Sequence, residues 1–237
     1  MRLSVPIFRL KRQAKLLARD SGIPLHEALD RLAKDEGFRS WSHLAASASE
    51  PRPAGEILSR LSPGDLVLLG ARPGHGKTLL ALELIVEAAK CGRQGFFFTL
   101  EYHEGEVLSR IRSLGVDPKS IETSFRLDAS DDICADRIIA KLEAAPRDAI
   151  AVLDYLQLLD QKRGNPELAE QIAALRDFAH TSGAIIVAIS QIDRSFELRS
   201  KPLPELSDIR LPNPLDLTLF TKTCFLHEGE IRLEAVA

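Results

Sequence analysis

Nine consecutive residues, Gly70-Ala71-Arg72-Pro73-Gly74-His75-Gly76-Lys77-Thr78, constrain this chain more than any other feature. A short apolar run, Leu66 to Leu69, precedes them, and an amphipathic helical pattern over residues 77–90 follows. A strand that passes through glycines into a helix, with Lys and Thr at the helix start, is a cradle for phosphate. Gly74 and Gly76 let the backbone approach an anion and aim N–H groups at it. The helix start adds the positive end of its dipole. Lys77 is expected to neutralise the β- and γ-phosphates of ATP, and Thr78 to coordinate Mg²⁺. Ala71, Arg72, Pro73, Gly74, His75, Gly76 and Leu79 complete the expected binding segment. The strict motif has glycine where this chain has Ala71, a position that tolerates a small side chain if its backbone is not left-handed.

From about Glu56 onward the chain alternates continuous apolar runs with helical patterns. Strands are expected at 66–69, 96–100, 123–127, 149–153 and 184–189, with helices at 77–90, 104–114, 132–145 and 166–182. Two last strands, near 216–226 and 230–235, turn at Glu228-Gly229. Apolar strands separated by helices predict an α/β fold with a mainly parallel sheet covered by helices on both faces. Residues 1–50 differ. Leu10, Ala14, Leu17 and Ala18 recur at helical spacing among the basic residues Arg9, Lys11, Arg12, Lys15 and Arg19. Ser21-Gly22 ends that helix, and Pro24 opens a second with Leu25, Ala28, Leu29 and Leu32 on one face, closed by Gly37. Ser40 to Leu44 reads as a helical turn whose Trp41 packs back on both. Ala45 to Ala54 reads as a linker, giving a helical module at 1–50 and a larger domain at 51–237.

Three further polar residues stand at the ends of apolar strands, where an open parallel sheet binds its ligand. Asp154 follows Ala149–Leu153 and is expected to hold Mg²⁺ with Thr78. Glu101 follows Phe96–Leu100 and is placed to take a proton from water attacking the γ-phosphate. Gln191 follows Ala184–Ile189 and Ser190, where its amide can bond the γ-phosphate and report nucleotide state to the polar loop beyond.

Composition narrows the class. The 237 residues are 45% hydrophobic and 27% charged, ordinary for a globular chain. No apolar run reaches the roughly 18–20 residues of a membrane span, and no signal peptide is visible. Cys91, Cys134 and Cys224 are far apart and odd in number, as expected of free thiols in a reducing cytoplasm. A net charge of −3 argues against coating nucleic acid by bulk charge, though not against a local basic loop.

Taken together, the motifs resemble the ATPase domain of the DnaB replicative helicases, within the RecA-like group of P-loop ATPases. The similar segments occur in the family's order over about residues 55–235: A-R-P-G-H-G-K-T, F-F-T-L-E ending at Glu101, D-Y-L-Q-L from Asp154, S-Q-I-D-R from Ser190, and S-D-I-R from Ser207. The resemblance implies that Glu101 is the general base, Asp154 the Walker B carboxylate and Gln191 the γ-phosphate sensor. It also implies a homo-hexamer whose 194–210 loop faces single-stranded DNA, with Arg194, Arg199, Lys201 and Arg210 on its phosphates. The chain departs from the family in carrying the 50-residue module in place of a large N-terminal domain. In the family a K-x-R-x-G hairpin supplies an arginine finger. Aligned on Lys222 and Arg232-Leu233, Cys224 falls at that position, which implies weak turnover.

Two functions follow as expectations. One is an ATP-driven helicase or translocase acting on single-stranded DNA. The other is a nucleotide-switched adaptor or loader of low ATPase activity that binds a protein partner through residues 1–50. A small-molecule kinase is the weaker third, because no acceptor pocket or lid is identifiable. The basic face Arg12, Lys15 and Arg19 of the first helix is either solvated polarity or a DNA contact.

Overall fold

A computed structural model describes residues 7–47, 53–160, 164–198, 201–211 and 213–236. The chain divides into two compact units, Met1–Arg52 and Pro53–Ala237.

The first unit is built from α1 (Ile7–Ser21), α2 (Leu25–Asp35) and α3 (Trp41–Ser47). Gly22 and Gly37, with φ of 65° and 85°, make the turns that a side chain would strain. Leu10, Ala33, Phe38 and Leu44 form its core, with Leu32 and Trp41 packed against them. Asp30 accepts the Trp41 N–H at 2.7 Å and so fixes where α3 begins. Leu25, expected on the inner face, is exposed instead. It sits at the first position of α2, directly after Pro24. Of the linker expected at 45–54, residues 45–47 close α3 and 53–54 open the next helix; 48–52 lie outside the described residues.

The second unit runs α4 (Pro53–Ser59), β1 (Leu66–Ala71), α5 (Lys77–Lys90), β2 (Gly95–Thr99), α6 (Glu104–Ser113), β3 (Phe125–Asp128), α7 (Ala135–Glu143), β4 (Ile150–Asp154), α8 (Leu168–Ser182), β5 (Ile185–Gln191), β6 (Lys222–His227) and β7 (Glu230–Ala235). The sheet order is β3-β2-β4-β5-β1-β6-β7, and every pairing is parallel except β6 with β7. Side chains alternate between its faces. Val67, Leu69, Val152, Val187 and Ile189 meet α4, α5 and α6, whereas Leu66, Leu68, Ala151, Leu153 and Ala188 meet α7 and α8. Burial on both faces is what makes these strands read as unbroken apolar runs. Each buried Leu or Ile contributes about 1.5–3 kcal/mol. The two outermost strands, β3 and β7, are short and carry Arg126, Asp128, Glu230, Arg232 and Glu234.

Element ends differ from expectation in ways that matter to the site. β1 continues through Gly70 to Ala71, and β2 stops at Thr99, leaving Glu101 two residues beyond it. The strand expected from 216 starts only at Lys222. Asp216 accepts the Thr218 N–H at 2.9 Å and winds Leu217–Leu219 into a 3₁₀ turn, a local bond that competes with extension. Among the described residues no helix is long and apolar enough to cross a membrane.

Gly95 marks where α5 lies closest to the sheet. A Cβ there would sit 2.4 Å from Cγ2 of the buried, β-branched Ile85. Gly95→Ala should therefore destabilise the second unit by about 1–3 kcal/mol, read from the midpoint of urea unfolding.

Candidate nucleotide site

The register of the parallel strands assembles the site. Ala71 at the end of β1 is opposite Gln191 at the end of β5, and Thr99 ending β2 is opposite Asp154 ending β4. The motif residues thus share one sheet edge although up to 120 residues separate Ala71 from Gln191. Ala71 is buried and is not left-handed, so its methyl group is accommodated where the motif has glycine. Gly70 is the residue that needs to lack a side chain, because a Cβ would meet the Phe225 ring at 2.8 Å.

Beyond Ala71 the chain turns through Gly74 and Gly76, with φ of 82° and 87°; a Cβ on either would meet no atom within 4 Å. The two glycines therefore open onto unfilled space. Gly76 is the N-cap of α5, and no side chain caps that helix start. Uncapped first-turn amides beside an open glycine loop form a cradle for phosphate. Lys77 and Thr78 are buried at its base, Leu79 packs against the core, and Pro73 is exposed.

The Arg72 and His75 side chains turn to the outer side of the loop. Arg72 donates from Nε to Glu197 at 2.8 Å and from a terminal nitrogen to the Ile192 carbonyl at 2.9 Å. The His75 ring stacks on His227, and its Nδ1 accepts the Glu228 N–H at 3.3 Å. Both side chains are thus committed to protein partners.

Asp154 is fully buried, and neither of its carboxylate oxygens has a hydrogen-bond partner. Burial, with the Glu101 charge adding to it, raises its pKa to about 6; Thr78, Lys77 and Arg110 oppose the shift. The Thr78 hydroxyl lies near enough to favour the carboxylate without closing a hydrogen bond of ordinary geometry. Two orphaned hard oxygens beside a hydroxyl and a phosphate cradle fit Mg²⁺. The described residues hold no group of three or more Asp, Glu, His or Cys side chains placed to bind a metal ion.

Glu101 is exposed at the rim, and its N–H donates to Oγ1 of the buried Thr99 at 3.0 Å, which shapes the turn after β2. Two residues that the motifs did not mark join it. Glu106 accepts the His103 N–H at 3.0 Å and starts α6, and one helix face later Arg110 lies over the Tyr102 ring, 4.2 Å from its centre. Arg110 is close enough to favour the charged form of Asp154. The sequence signal for it was only a basic residue on the helix after Glu101, since an eight-residue separation from Tyr102 matches no simple helical pairing.

The motif segments after β5 are tied together by main-chain bonds. Arg210 N–H donates to the Gln191 carbonyl at 2.8 Å, Asp193 N–H to the Asp208 carbonyl at 2.7 Å, and Gln157 Nε2 to the Arg210 carbonyl at 2.9 Å. Arg194 and Arg210 are exposed, Lys201 pairs with Glu205, and Arg199 lies outside the described residues.

The alignment of Cys224 with an arginine finger needs correction. Cys224 stands in mid-strand opposite Leu69 and Leu233, 1% exposed, and burial pushes its thiol up to about 12. A side chain inside the sheet cannot reach a neighbouring subunit. Lys222 is no substitute, because it lies at the opposite end of the sheet, opposite Val67, and donates to Asp65 at 2.7 Å. The residue two before the turn glycine Gly229 is His227.

The Asp154 carboxyl has a pH consequence. Its folded pKa is raised above its unfolded value, so the protonated form favours folding. Stability should fall by about 3 kcal/mol as pH rises from about 4 to about 6, and Asp154→Asn should flatten that part of a denaturant-measured profile.

Comparison with known proteins agrees with this geometry. The family model described as "ATPase: KaiC" matches residues 43–194, more than half of the chain. Replicative DNA helicase DnaB of Pasteurella multocida is 27% identical over 83% of this chain and 50% of its own length. DnaB of Helicobacter pylori strain J99 is 29% identical over 72% of this chain and 42% of its own. The chain thus spans about half the length of these relatives or less. Among solved structures, a DnaB-like replicative helicase studied with primase superposes with a TM-score of 0.60 at 20% identity, covering 92% of this chain and 65% of that one. A KaiC-like protein of the archaeon Pyrococcus horikoshii gives 0.52 at 19% identity, covering 68% and 70%. Fold, site geometry and family match together identify the chain as a member of the KaiC-type family of RecA-like ATPases, with DnaB replicative helicases among its relatives.

Proposed function

We propose that the second unit binds ATP with Mg²⁺ and hydrolyses it to drive movement along single-stranded DNA as a homo-oligomeric ring, with a hexamer the expected form. The observation that carries this reading is the orphaned carboxylate of Asp154 beside the glycine cradle, with Glu101 in the turn just beyond the adjoining strand β2. Asp154 and Thr78 would hold Mg²⁺, which would supply neutralisation of phosphate charge.

In this reading the backbone of residues 72–76 and the α5 amides wrap the phosphates, and Lys77 offsets their charge. Glu101, exposed to water at the rim, accepts the proton as the water oxygen attacks phosphorus. The bond to the β–γ bridging oxygen breaks and ADP leaves with that electron pair. The Gln191 side-chain amide donates to the γ-phosphate or the attacking water. Its main chain, bonded to Arg210, carries the nucleotide state into the 194–210 loop. Arg110 adds a positive charge from the same chain. Arg194, Arg199, Lys201 and Arg210 are the proposed DNA contacts; Lys201 must exchange its Glu205 partner for phosphate. A cytoplasmic location goes with this role, and a protein partner is proposed for residues 1–50. The reason for weak turnover passes from Cys224 to His227, since neither is an arginine, and the nucleotide-switched adaptor stands on it as the second reading.

Glu101→Gln should lower DNA-stimulated hydrolysis by about 10²- to 10⁴-fold while ATP binding persists, and Lys77→Ala should lose binding itself. Phosphate release and nucleotide titration on the same preparations separate the two. Wild-type protein that binds ATP but neither hydrolyses it faster with single-stranded DNA nor changes mass in solution with ATP and DNA would refute the motor.

A further inference from the structure

The outer side of the phosphate loop is held by two segments distant in sequence. Arg72, whose side chain is only 12% exposed, is gripped by Glu197 and by the Ile192 carbonyl, both in the stretch that leaves β5. His75 is gripped by the tip of the β6–β7 hairpin. The two imidazoles of His75 and His227 stack with centroids 5.0 Å apart and planes 9° from parallel. Phe196 meets the His227 ring edge-on, with centroids 4.9 Å apart. The turn itself holds Glu228 at φ 48° beside Gly229 at φ 83°. Left-handed backbone at a non-glycine residue persists only where its surroundings hold it, and here the Glu228 N–H donates to His75 Nδ1.

We propose that the hairpin tip and the Arg194–Leu198 segment form a brace, within one chain, that positions the phosphate loop, with His227 and Glu197 as its positioning residues. Neither belongs to the loop segment 70–78 itself. They act through His75 and Arg72, the two loop residues whose side chains they engage. Nucleotide binding and the set of the loop after β5 are then linked directly, by one ion pair and one aromatic stack, besides the link through Gln191.

The brace has a pH sense. His75 Nδ1 accepts a hydrogen bond and must be unprotonated there. Burial, then the facing His227, depress its pKa; Arg72 acts in the same direction, and Glu228 and Glu197 act against it. The brace is therefore complete above the ordinary histidine range and is lost as pH falls through the depressed value.

The proposal rests on residues 72–78 being the nucleotide loop, and the test keeps the two apart. Amide hydrogen exchange across residues 72–76 is measured in nucleotide-free protein, and the affinity of a fluorescent ADP analogue is measured between about pH 5 and pH 8. His227→Ala and, separately, Glu197→Gln should speed exchange in the loop and weaken binding about fivefold. His227→Phe, which keeps a ring against His75, should restore both near pH 8 and, by removing the neighbour that helps depress the His75 pKa, should move the acid weakening to higher pH. Unchanged exchange and affinity in His227→Ala and Glu197→Gln would overturn the brace, as would a His227→Phe defect equal to that of His227→Ala. If wild-type protein fails to bind the analogue, the nucleotide reading falls, and exchange in the nucleotide-free protein still decides whether the loop is braced.

Discussion

Hydrogen bonding of β1 between β5 and β6 sets Ala71 level with Gln191 on one side and Leu226 on the other. The same ladder continues through β4 to β2 and brings Asp154 level with Thr99. A slip of one residue in any of these pairings would turn buried side chains toward the wrong helical layer. Wholly buried strands make such slips costly, so the core that stabilises the sheet also sets the positions of the polar groups at its edge. Side chains from four sequence regions can then meet around one loop without any of them being buried for its own sake.

Asp154 shows what that arrangement asks of the fold. A carboxylate with no exposed surface and no hydrogen-bond partner opposes folding, and the sheet tolerates it because the surrounding apolar contacts are many. Lys77 and Arg110 offset part of the penalty from a distance. Both oxygens stay uncommitted to protein donors, which is the state a metal ligand requires. Arg72 and His75 represent the opposite solution. Their polar atoms are engaged by neighbours, so the loop is supported through these side chains while its glycines stay open.

The α/β fold, the phosphate loop and the strand-end carboxylate at Asp154 were legible because each is written in consecutive residues, with strand, turn and helix signals adjoining. Glu101 was legible for the same reason, although β2 stops sooner than the apolar run suggests, since Thr99 Oγ1 takes the Glu101 N–H and starts the turn early. What joins distant segments was not legible. Nothing near Arg72 points to Glu197, and nothing near His75 points to His227. Arg110 gained its place only once the start of α6 was set. Cys224 was misplaced because an alignment on Lys222 and Arg232 counts residues without the pairing of the hairpin. The register of β6 with β1 shows that the two landmarks face different surroundings.

Both outer strands of the sheet are poor templates for another strand. β3 offers four residues, two of them charged, and β7 alternates Glu230, Arg232 and Glu234 along one side. Charge on short edge strands discourages an incoming chain from extending the ladder. Copies of this protein crowded together are thereby kept from fusing their sheets into a continuous ribbon. That leaves side chains on helices and loops as the better surfaces for specifying an ordered assembly with a closed number of subunits.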